Sequence, residues 1–132
     1  GAYVMASSPG EPQVILMGTG SEVQLCVQAH EQLIAEGIRS RVVSMPSWEL
    51  FKQQGREYQD SVLPPQVHAR VAVEAGTGLG WREYVGVEGC VIARYDFGAS
   101  APIKDLLTHF GFTAERVAAE ARSLIAKSGG KV

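Results

Sequence analysis

The stretch Gly-Thr-Gly-Ser-Glu-Val at residues 18–23 stands between an apolar run, Val14 to Met17, and a segment with helical spacing. Glycines in such a place let backbone N–H groups close on an anion, which the partial positive charge of a helix start also favours. The chemistry on offer is phosphate or small-anion binding at Thr19, Gly20 and Ser21. A dinucleotide fingerprint would need a third glycine where Val23 stands, and an acidic residue closing the next strand, where Met45 and Pro46 stand. A P-loop would need Gly-Lys-Ser/Thr, which is absent. A structural role fits better. Thr19 with Glu22, and Ser21 with Gln24, each have the spacing of a capping box, so the segment is expected to cap a helix.

Two carboxylates extend the candidate site. Glu74 closes one predicted strand and Asp96 closely follows another. In open α/β sheets the carboxyl ends of the strands line the ligand crevice. Thr19, Gly20, Ser21, Glu74 and Asp96 therefore form a candidate anion or regulatory site. The competing expectation, which is favoured, is that both carboxylates bond to nearby loop N–H groups. His30, His68 and His109 are far apart and do not combine with Cys26 and Cys90 at metal-ligand spacing, so no zinc site is expected. His30 lies on an apolar helical stripe, where a packed, hydrogen-bonded ring is the ordinary role. No Gly-x-Ser-x-Gly occurs, and Asp96-Phe97-Gly98 lacks the other parts of a kinase signature.

These residues need elements to hold them. Tyr3 to Ala6, Val14 to Met17, Arg41 to Met45, Arg70 to Glu74 and Cys90 to Arg94 read as strands, the later four as continuous apolar runs suited to a parallel sheet. Val23, Cys26, Val27, His30, Leu33 and Ile34 define a helix that Gly37 ends. Ile103, Leu106, Leu107 and Phe110 define a second, opened near Pro102 and ended by Gly111. Val117, Ala118, Ala121, Leu124 and Ile125 define a third, with Thr113 as its cap. Short helical turns are expected around Trp48 to Phe51, around Tyr58 to Leu63 and at Arg82 to Val85, with Pro64-Pro65 extended between the last two. Alternation of strand and helix points to a layered α/β domain with right-handed crossovers.

Composition narrows the partners. The chain has 132 residues, enough for a single domain over 1–132, with 128–132 expected to fray. Its 12 basic and 14 acidic residues give a net charge of −2 with no basic stripe, so no nucleic-acid partner is expected. Apolar runs are too short to span a bilayer, and no membrane partner is expected. Two cysteines inside predicted elements suit a reducing compartment, the cytoplasm or an organelle interior such as a plastid. A first residue of Gly1 suggests a processed chain or a piece of a longer one.

Taken together, "GTGSEV", "RVVSMPS" at 41–47, "SVLPP" at 61–65, "ARVAVEAG" at 69–76 and "FGASAP" at 97–102 resemble the C-terminal domain of transketolase, in order and spacing, over nearly the whole chain. The resemblance implies a three-layer α/β/α sandwich on a five-stranded mixed sheet of order 1-3-2-4-5, strand 1 antiparallel. It also implies a parent enzyme that moves a two-carbon ketol unit between sugar phosphates, in carbon fixation or the pentose phosphate pathway. The parent would use thiamine diphosphate and a divalent metal, magnesium or calcium, bound by its other domains. The metal signature Gly-Asp-Gly is absent here, so no catalytic, cofactor-binding or metal-binding residue is carried over to this chain. The expected role is structural, dimer-supporting or regulatory. The expected partners are the upstream thiamine-binding domains of the same chain and the second subunit of a homodimer. "SVLPP" and "FGASAP" favour transketolase over the related pyruvate dehydrogenase beta subunit and deoxyxylulose phosphate synthase. A free-standing small-anion-binding module is the alternative from another class.

Overall fold

The computed structural model describes residues 1–74, 80–93 and 113–127. Asp96, "FGASAP", His109, the expected helix over 102–110 and the tail 128–132 lie outside the described residues. Five strands form one sheet: β1 (Tyr3–Ser7), β2 (Val14–Gly18), β3 (Ser40–Ser44), β4 (Arg70–Glu74) and β5 (Cys90–Ala93). Their order is β1-β3-β2-β4-β5. β1 runs antiparallel to β3, and all other pairs are parallel. The expected order and the reversed first strand are both present.

Every residue of β2 is buried, because β2 is central and covered on both faces. Alternation then sorts the side chains. Val14, Leu16, Val42, Val71, Val73 and Ile92 face one core; Ile15, Met17, Val43 and Ala72 face the other. The first core is closed by α1 (Glu22–Ala35), through Cys26, Ala29 and Leu33, and by a long last helix over Ala114–Lys127, through Val117, Ala121 and Leu124. The second is closed by α2 (Trp48–Gln53), α3 (Arg56–Val62) and α4 (Arg82–Val85), which contribute Phe51, Val62, Tyr84 and Val85. Numbered in chain order, the last helix is α5. The result is helix, sheet and helix in three layers.

Local signals explain the helix ends. Gly37, at φ +80°, follows the last turn of α1. Its N–H donates to the Ile34 carbonyl, and that of Ile38 donates to Leu33, the paired bonds of a Schellman end. Ile38 then packs on the first core. At α5 the hydroxyl of Thr113 accepts from the Arg116 N–H at 3.2 Å, the cap expected from the sequence. Glu36, just past α1, forms an ion pair with Arg122 of α5 and ties the two helices of that layer together.

His30 is buried on α1, and its Nδ1 shares a 2.6 Å hydrogen bond with Ser40 Oγ at the start of β3. The Ser40 N–H in turn donates to Ser8 Oγ. Burial lowers the His30 pKa from its ordinary value, with Glu31 acting in opposition. The unfolded chain therefore takes up this proton more readily than the folded one. Stability is complete above the usual histidine value of about 6.5 and falls as pH drops from there toward the lowered folded-state value. Urea midpoints measured downward from neutral pH should decline through that window, and decline less in His30→Gln. Equal slopes in both proteins would remove His30 as the source.

Candidate functional site

The parallel strands bring Gly18, Ser44, Glu74 and Ala93 to one edge of the sheet, where the candidate residues were expected to meet. Gly18 closes β2. A methyl group there would sit 3.3 Å from Cys26 Sγ and from backbone atoms of Glu22 and Val23, so the missing side chain lets α1 lie tight against the sheet. Gly20 makes the turn itself at φ +59°.

The side-chain cap expected at this helix start does not form. Ser21 is already helical, at φ −69° and ψ −20°, and makes no cap bond. Its hydroxyl donates instead to the Glu22 carboxylate at 2.6 Å. The N–H groups of Glu22, Val23 and Gln24 donate to the carbonyls of Thr19, Gly20 and Ser21 at 3.2–3.3 Å. The first turn is thus closed by its own backbone. A side-chain cap contributes about 1 kcal/mol, less than burial of a side chain such as Leu33 contributes at roughly 1.5–3 kcal/mol, so packing suffices to hold α1. Gly20→Ala should cost about 1 kcal/mol in urea denaturation, since alanine resists a left-handed backbone. Ser21→Ala should cost less than about 0.5 kcal/mol. A larger loss from Ser21→Ala than from Gly20→Ala would reverse this account of the turn.

Beyond the turn, Thr19, Ser47, Trp48, Glu49, Glu74 and Trp81 line a cleft of about 270 Å³. Trp81 is fully buried, and its indole Nε1–H donates to Glu74 Oε1 at 2.7 Å. The rings of Trp48 and Trp81 meet edge to face with centroids 5.3 Å apart. Ser47 caps α2, its hydroxyl accepting from the Leu50 N–H. Thr19 and Glu74 therefore share a cleft. Gly20 and Ser21 are exposed at the mouth of α1, and Asp96 lies outside the described residues. The Trp81 indole is one structural donor to Glu74.

These residues do not fit a thiamine diphosphate and metal site. The charged groups described in the cleft are Glu49 and Glu74, both repelling a diphosphate. Among the described residues no three His, Cys, Asp or Glu side chains stand together in a way that could hold a metal ion. No helix among them is long and apolar enough to cross a membrane. Cys26 is buried against the sheet, and burial, with Glu22 nearby, pushes its thiol pKa up to about 12. Such a thiol is not a nucleophile at neutral pH.

The polar centre that sequence reading missed lies at the opposite end of β4. Arg70 donates from Nε to the Val67 carbonyl at 2.9 Å and from Nη1 to Tyr84 at 2.7 Å. Its Nη2 reaches Pro64 at 2.9 Å and Leu63 at 3.4 Å. One guanidinium thus gathers the Pro-Pro loop and the end of α4 around a groove of about 400 Å³. An arginine opening an apolar strand gives no sign of this in the sequence, because all its partners are backbone carbonyls.

Fold and edge together define a three-layer α/β/α domain, with a reversed first strand and a carboxyl edge held by structural contacts. The chain belongs to the transketolase C-terminal domain family: residues 1–113 match the family model described as Transketolase-like TK C-terminal domain. It is 50% identical over 125 residues to a transketolase of Halalkalibacterium halodurans, covering 95% of this chain and 19% of the relative. It is 49% identical to transketolase 1 of Escherichia coli with the same coverage. Among solved structures, transketolase from Leishmania mexicana superposes with a TM-score of 0.87 at 40% identity, over 96% of this chain and 18% of the other. A split gene transketolase described as an inactive beta4 tetramer shares the fold, at a TM-score of 0.64 and 22% identity. The chain thus spans about one fifth of the length of the curated relatives it matches.

Proposed function

We propose that this domain acts as the non-catalytic, assembly-supporting part of a transketolase. The parent enzyme transfers a two-carbon ketol unit between sugar phosphates with thiamine diphosphate and a divalent metal held by its upstream domains, and works as a homodimer. The observation that carries this reading is the match to a transketolase C-terminal domain by a chain covering 19% of its relatives. The cleft at the sheet edge supports it, because its described charged groups, Glu49 and Glu74, are acidic and do not suit a diphosphate. The buried thiol of Cys26 suits a reducing compartment, cytoplasmic or plastid-like.

Titration calorimetry of the chain with thiamine diphosphate and magnesium should give no binding heat, and the chain should not turn over sugar phosphates. The full polypeptide should do both and sediment as a dimer. Tight coenzyme binding or turnover by these 132 residues alone would overturn the proposal. A melt shift with phosphate or a sugar phosphate that disappears in Ser21→Ala would instead favour a small-anion module.

A further inference from the structure

Four features meet in the groove beside Arg70. Its volume of about 400 Å³ falls within the range of small-molecule sites, roughly 300–1,000 Å³. The first feature is an apolar floor: Phe51, Leu63, Val67 and Val85 line it, and all four are buried. The second is Val87 on the rim, 94% exposed, which extends the apolar lining outward. The third is Tyr84, which lines the groove and is itself only 7% exposed. Its ring packs on those of Trp48 and Phe51, and its buried hydroxyl meets no hydrogen-bond partner among the described residues. A buried hydroxyl ordinarily has one.

The fourth is charge. In the lining, Arg56 pairs with Asp60 at 3.7 Å, and Glu83 pairs with Lys52 at 3.1 Å. Arg70 and Glu88 are left over. Neither forms an ion pair among the described residues. The carbonyls that Arg70 holds are neutral, so its charge stands, and Nη1 keeps a second N–H uncommitted among the described residues. Apart from His68 at the mouth, the lining thus carries one unpaired cation and one unpaired anion. A simple anion would meet Glu88, and a simple cation would meet Arg70. A zwitterion complements both.

We propose that this groove binds a free amino acid with an apolar side chain. Its carboxylate is taken by Arg70 and the Tyr84 hydroxyl, its ammonium by Glu88, and its side chain by the apolar floor and Val87. The contacts come from separate walls: Arg70 opens β4, Tyr84 lies on α4, Glu88 follows α4, and Phe51 belongs to α2. Such a ligand joins α4 to the strand and helix beside it. A relative of the amino acid that lacks either charge leaves a charged group of the groove without its partner, which is how a polar site rejects an analogue. The inference does not depend on the function proposed above.

Titration calorimetry of the full polypeptide with L-leucine, leucinamide and N-acetylleucine tests this. Leucinamide lacks the carboxylate, and N-acetylleucine lacks the ammonium. L-leucine should bind with a Kd of about 1 mM or tighter, and each analogue about tenfold more weakly or worse. Glu88→Gln should weaken L-leucine by about tenfold. Tyr84→Phe should also weaken it, yet hold the Tm within about 1 °C, because the hydroxyl it removes has no partner to lose. Absence of saturable heat with L-leucine overturns the proposal. So does equal binding of either analogue, which reduces the groove to an apolar slot, and so does unchanged binding in Glu88→Gln, which puts the ligand elsewhere. A Tm loss of about 4 °C or more in Tyr84→Phe shows a hydroxyl already partnered without ligand, and overturns the site as drawn.

Discussion

Trp81→Ala should remove about 3–5 kcal/mol of stability, a large share of the roughly 5–15 kcal/mol that holds a domain of this size. Trp81 is fully buried, packs edge-on to Trp48 and sits among the second-core residues under α2 and α4. Truncation opens a cavity at the sheet edge and also takes a donor from Glu74. Trp81→Phe separates the two effects. It keeps most of the ring and loses the indole bond, so it should cost about 1.5–3 kcal/mol, the range for a bond to a charged group. Urea denaturation with an unchanged slope would measure both. A loss below about 1 kcal/mol for Trp81→Ala would contradict the packing described.

Arg70→Met should cost about 3 kcal/mol. The apolar stem is kept, but the carbonyls of Val67, Tyr84, Pro64 and Leu63 lose their shared donor. Arg70→Lys should recover only part of that, because an ammonium cannot present a planar fork to carbonyls on several sides. The same denaturation series checks it, and full recovery by lysine would show that charge alone, without the fork, organises the loop. Burial lowers the Arg70 pKa from its ordinary value, yet guanidinium stays charged throughout the working range. The effect should therefore not vary with pH.

Elements set by side-chain periodicity were legible. The stripe of α1, the thoroughly apolar β2 and β4, and the Gly37 ending all follow from spacing that short-range physics imposes. Even the four-residue α4 falls at Arg82–Val85 as expected. What failed was the choice between two uses of the same residues. Ser21 and Gln24 have cap spacing, but a cap needs Ser21 in an extended backbone, and Gly20 delivers it already helical. Ser47, which does sit extended at ψ 113°, is the serine that caps. The site was less legible than the fold. Thr19 and Glu74 do converge, as strand ends must, but nothing in the spacing of the sequence pairs Glu74 with the Trp81 indole. Family resemblance supplied the strand order, which periodicity alone leaves open.

The reversed first strand also sets a timetable. β1 pairs only with β3, more than thirty residues later, and the Ala2 carbonyl waits for Tyr58. Within this domain the residues made first are therefore seated late, after a loop closure that β3, α2 and α3 must precede. Until then β1, a strand without a charged residue, stays unmatched, and its apolar side chains stay open to other polypeptide during synthesis.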